Sequence, residues 1–199
     1  MHFSTMLAAR DWGDQVAASK YLEKYWLPET EYEKIWKPIQ DQIFVRGKRL
    51  PDLVFSNSSE LLAFRGGCLF VEEDFTKLQE CFIKLGNSHF AIVENPFLAE
   101  ADEPLFRMKY PASISWNELI SGNYISAIIL ESDIKEFYVF GETSAWGKYS
   151  ASSYKHPVDI VGFLPNHASF FRETLKVEED EKLEIAADWM PFTYRPFLK

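Results

Sequence analysis

Residues 136–163 read EFYVFGETSAWGKYSASSYKHPVDIVGF, and this stretch decides the fold class. Runs of aromatic and β-branched residues at 136–140, 146–151 and 158–163 are separated by turn-forming Gly, Ser and Pro, a pattern that helices do not readily explain. Together with the apolar run YISAIILE at 124–131, they predict an antiparallel meander as the centre of an α+β fold.

Outward from the meander, the pattern turns helical. Phe75, Leu78, Phe82 and Leu85 recur at spacings of three, four and three, which puts them on one face of a helix over 72–85. Its acidic first turn suits the helix dipole, and Gly86-Asn87 supplies a stop. Ala18, Leu22 and Tyr25 share a face of a helix running from an Asp14 cap to about Trp26. A second pattern at 31–42 gathers Tyr32, Ile35, Trp36 and Ile39, although Pro38 should break or kink it. Further strands are expected at 2–9, at 53–55, as a pair around Gly66-Gly67 within 61–71, and at 89–95. Residues 96–111 read as an irregular acidic connection, 115–121 as a short helix, and Asn166 onward as a last helix carrying Phe170, Phe171 and Leu175. The tail from Trp189 reads as extended. No repeat, linker or low-complexity tract interrupts the chain, so 1–199 is expected to be a single domain.

Composition narrows the function. The 199 residues are 47% hydrophobic and 26% charged, which is ordinary for a globular chain that buries roughly 70% of its unfolded surface. The unusual figure is 16% aromatic, more large rings than one core of this size obviously requires. Thirty acidic against 21 basic residues give a net charge of −9, which opposes binding to nucleic acid or to an anionic membrane. Cys68 and Cys81 fit neither a zinc ribbon nor a disulfide framework and read as free thiols, with core packing the better reading of Cys81. With no signal-peptide pattern and no long apolar run, the chain is expected to be cytoplasmic.

Motifs for chemistry are missing. GxxxxGK[ST], GxGxxG and GxSxG do not occur, and His2, His89, His156 and His167 include no pair four apart. No metal and no cofactor are therefore expected. Glu142, Tyr149, Tyr154, His156 and Asp159 could form a proton-transfer cluster, but they read more simply as turn and edge-strand residues. Arg46, Lys48 and Arg49 could hold an anion, yet three cations in one turn are usually a solvated loop. Two groups fit protein binding: the acidic stretch Glu178, Glu179, Asp180, Glu181 as a dock for a basic partner, and Trp146, Tyr149 and Tyr154 as an aromatic platform.

The strand ending FYVFGE, the following WGKY and the later VDIVGF resemble the C-terminal meander of small cytosolic immunity proteins from bacterial polymorphic and contact-dependent toxin systems. The resemblance spans about a seventh of the chain. It implies a non-enzymatic α+β protein that binds a cognate toxin domain and blocks its active site. Such families diverge at the binding surface, so it assigns no binding residue. The alternatives are an enzyme built around His156 and a regulatory adaptor. A pocket lined by His156, Asp159 and Glu142 would favour the enzyme, a flat acidic surface with exposed rings the inhibitor, and a peptide-sized groove the adaptor.

Overall fold

The computed structural model describes residues 15–56, 59–66, 69–95, 106–121, 136–151, 155–185 and 189–197. Six strands form one sheet: β1 (Glu60–Arg65), β2 (His89–Glu94), β3 (Arg107–Pro111), β4 (Glu136–Gly141), β5 (Trp146–Ala151) and β6 (Val158–Phe163). Their order is β1-β6-β5-β4-β2-β3, and every neighbouring pair is antiparallel. The α+β class and the β4-β5-β6 meander are as the sequence implies. The strands expected at 2–9 and 124–131 lie outside the described residues.

Helices cover both faces of this sheet. They are α1 (Gln15–Tyr25), α2 (Glu29–Glu31) running through a π turn (Tyr32–Trp36) into α3 (Lys37–Ile43), α4 (Glu72–Lys84), α5 (Trp116–Ile120), α6 (Ala168–Thr174) and α7 (Glu179–Glu184). Because side chains alternate along a strand, each strand feeds two cores. Leu62, Phe90, Ile92, Phe137, Trp146 and Val161 face α1, α4, α5 and α6. Ala63, Val93, Tyr138, Phe140, Tyr149 and Ile160 face the α2–α3 layer and the C-terminal residues Ile185, Met190 and Tyr194. Two cores instead of one account for the excess of rings. Antiparallel sheets often leave one face in water, whereas β4, β5 and β6 are buried at every position.

The second core depends on a pair of glycines. Gly147 and Gly162 lie opposite each other in the β5–β6 register, and the missing side chains leave a slot filled by the rings of Phe44 and Phe55, 5.0 Å apart. A Cβ on Gly162 would meet Phe55 at 2.4 Å, and one on Gly147 would meet Phe44 at 2.6 Å. Gly162→Ala is therefore expected to cost about 1–3 kcal/mol by overpacking. Urea denaturation checks this, and an unchanged midpoint would show that the rings yield freely.

Several sequence expectations need correction. Residues 107–111 are not irregular but form edge strand β3, with Met108 and Tyr110 in the first core and the Arg107 guanidinium 5.3 Å over the Tyr32 ring on the other side. Its alternation of charged and apolar residues is a strand signal that the nearby prolines at 104 and 111 obscured. Among the described residues of the 61–71 stretch there is one strand, not two: β1 ends at Arg65, and Leu69 turns with a φ of 48°. Residues 53–55 contribute an isolated bridge, Phe44↔Phe55, and not a strand. Pro38 does not break the second helix, because Lys37 N–H bonds back five residues to Tyr32 and this wider turn precedes the ring. The extra residue in that turn also shifts the helical phase, so Ile35 is exposed while Tyr32 and Trp36 are buried. The tail is not extended: a 3-10 segment, Phe192–Phe197, buries Tyr194, whose hydroxyl donates to the Asp52 carbonyl at 2.7 Å.

Candidate functional site

A cleft of about 200 Å³ opens beside edge strand β1. Three distant parts of the chain supply its polar rim: Arg65 from β1, Glu73, Asp74 and Lys77 from the first turns of α4, and Lys176 and Glu181 from the end of the chain that leads into α7. Two of the rim cations are engaged, while Lys176 stands exposed. Lys77 Nζ lies 2.7 Å from Glu73, and Arg65 pairs with Glu184 while its backbone N–H donates to Glu181 at 3.2 Å. Phe64, Leu78, Val161 and Leu175 form apolar walls.

The floor is more constrained. Lys148 Nζ lies 3.0 Å from Asp159 Oδ2, and their side chains are only 4% and 7% exposed. Lys148 also donates to the Leu69 carbonyl and lies 4.7 Å over the Phe70 ring, while the Ser150 hydroxyl accepts from Leu69 N–H at 3.2 Å. These contacts hold the left-handed Leu69 turn against β5. Asp159 Oδ1 is buried without a hydrogen-bond partner. Above it, burial raises the Asp74 carboxyl above the usual range, with the Lys148 charge opposing and that of Asp159 adding. A carboxyl with a raised folded pKa ionises less readily in the fold than in the unfolded chain. Its charge therefore costs stability, and the cost sets in as pH rises above the unfolded value. Among the described residues no three His, Cys, Asp or Glu side chains are placed to hold a metal ion.

The residues expected to bind a partner have separate fates. Trp146 is 1% exposed in the first core and Tyr149 is fully buried in the second, so neither forms the expected surface platform. In a sheet covered on both faces, alternate residues of a central strand both point inward. Tyr154 lies outside the described residues. Glu178 is exposed at the start of α7, Glu179 and Asp180 open that helix, and Glu181 reaches the cleft.

The proton-transfer cluster weighed above is not assembled among the described residues. Asp159 faces the first core and Tyr149 the second, where its phenol donates to Glu136. Burial and then the Glu136 charge push that phenol well above its ordinary range. His156 stacks on Trp189 at 5.2 Å. Glu142 sits at another end of the sheet, accepting from Ser88 N–H at 2.7 Å and His89 N–H at 3.1 Å. Burial opposes its ionisation, but the Ser88 and His89 hydrogen bonds win and hold its carboxyl below the usual range. In the basic turn, Lys48 pairs with Asp52 at 2.9 Å. Cys81 is buried in the first core, and burial pushes its thiol up to about 12.

Sequence reasoning missed Lys148, Glu73 and Asp74. A lysine between Trp146 and Tyr149 in a central strand was the available signal, since a charge there must be paired or neutralised. No protein-family model matches this chain, and neither a curated protein nor a solved structure is found to be similar to it. No described helix is long and apolar enough to cross a membrane.

Proposed function

We propose that this chain acts by binding, as an immunity-type inhibitor of a basic protein toxin domain. The observation that carries the reading is the meeting of two acidic segments: Glu181, from the stretch at 178–181, lines the same cleft as Glu73 and Asp74 from the start of α4. A chain of net charge −9 attracts a basic partner and speeds encounter. The resemblance of 136–163 to immunity proteins supports the same class, and Glu142, His156 and Asp159 do not line one pocket.

Steering predicts a kinetic signature. Exposed charges lose most of their mutual effect beyond about 8 Å at physiological ionic strength, so association with a cognate toxin domain should slow as salt rises. Replacing Glu178, Glu179 and Glu181 by Gln and Asp180 by Asn keeps acceptors in place and removes charge. At low salt this variant should associate about tenfold more slowly with its off-rate nearly unchanged. Surface plasmon resonance reads both rates. Failure to bind or neutralise any toxin encoded beside it, or turnover of a small molecule that depends on His156, would overturn the inhibitor reading.

A further inference from the structure

We propose that a small pocket on the second-core face of the sheet, opposite the cleft, binds a free apolar α-amino acid as its zwitterion. The pocket lies between the π turn, α3 and the loop that follows them, with a volume of about 190 Å³. Tyr32, Phe44 and Tyr138 of the second core form its apolar walls. Its lining also holds an unsatisfied donor. Gln40 is only 8% exposed, and its Oε1 accepts from the Tyr32 hydroxyl at 2.8 Å, which leaves the amide nitrogen without a partner among the described residues. That nitrogen is not sealed: it keeps surface at the pocket wall, where a ligand oxygen can reach it. A donor so placed is costly until an acceptor arrives.

Charge names the ligand. The ionic groups around the pocket balance, Glu33 and Asp41 against Lys37 and Arg46. Glu33 and Lys37 pair with each other at 3.4 Å, whereas Asp41 and Arg46 are exposed and have no partner among the described residues. Burial pushes the Tyr32 phenol up to about 12, and the charges of Asp41 and Arg46 both reach it, the first adding to the rise and the second opposing it. A simple anion would meet two carboxylates here and a simple cation two basic groups, and no metal site is formed among the described residues. A zwitterion satisfies both signs at once. Its carboxylate takes donors from Gln40 and Arg46, and its ammonium pairs with Asp41. Gly47, at a φ of 69°, closes the turn in which Lys48 N–H donates to the Val45 carbonyl at 3.2 Å, and this turn brings Arg46 to the pocket. The rings leave apolar space for a side chain of about leucine's size. The site stands apart from the acidic cleft and does not depend on the inhibitor reading.

The test titrates the full chain with L-leucine and follows it by ¹H–¹⁵N NMR. Leucinamide, which lacks the carboxylate, and Nα-acetyl-leucine, which lacks the ammonium, are the controls. The expected result is saturable shifts at the amides of Gln40, Asp41, Arg46 and Gly47, with each control at least about tenfold weaker, the effect of losing one charge-assisted contact. Arg46→Gln should weaken leucine by about tenfold and leave leucinamide unchanged. Asp41→Asn should weaken leucine to the same extent but not Nα-acetyl-leucine. Both side chains are exposed and make no contact that the fold depends on among the described residues, so both variants keep the fold. No saturable shift with leucine up to about 10 mM, a control within about twofold of leucine, or an undiminished response in either variant would overturn the assignment.

Discussion

Lys148→Ala is expected to destabilise the protein by about 3–5 kcal/mol, the usual result of removing one member of a buried ion pair. The cause is what remains behind: Asp159 loses its cation in a site 5% exposed, and the Leu69 carbonyl loses its donor. The left-handed turn at Leu69 then rests on the Ser150 hydroxyl alone among the contacts described above. In a chain of this size such a loss lowers Tm by roughly 6–20 °C. Lys148→Met with Asp159→Asn should recover at least half of it, because no buried charge is left unpaired. Thermal and urea unfolding of the three proteins measure the effect. A single variant that loses under about 1 kcal/mol would mean that water reaches the pair and that the floor of the cleft is not sealed.

Trp146→Ala carries the second large effect, again about 3–5 kcal/mol, through the cavity left in the first core. The indole stacks on Phe82 with centroids 5.2 Å apart and planes 13° from parallel. Its Nε1 is buried without a partner, so the ring contributes by packing and not by its polar edge. Trp146→Phe keeps most of the stack and removes the orphaned N–H, and should cost less than about 1.5 kcal/mol. Were Trp146 a partner anchor, alanine would spare stability and act on the complex off-rate alone. Denaturation of the free protein separates the two outcomes.

Both predictions concern residues of β5, and they show where reading the sequence stopped. The runs at 136–140, 146–151 and 158–163 were legible as strands because β-branched and aromatic residues between turn residues leave few other solutions. A helical period of about 3.6 identified α4, since Phe75, Leu78 and Phe82 fall on one face, and Gly86, at a φ of 78°, ended it as expected. Such signals are local: they depend on neighbours a few residues away, and one chain contains them all.

What the tertiary structure alone decided is which side of each strand is covered, and by what. A period of two separates Trp146 from Tyr149 but does not say that both sides are dry; that follows from the α2–α3 layer and the C-terminal residues closing over the second face. The glycines at 147 and 162 carry no hint that two phenylalanines from a distant segment fill the slot between them. The cleft was hidden for the same reason. Asp74, Lys148, Asp159 and Glu181 come from four elements, and only the antiparallel pairing of β5 with β6, packed under α4 and alongside α7, brings their charges within reach of one another. Local periodicity is set by backbone geometry within a few residues, whereas a site of paired charges is set by long-range packing.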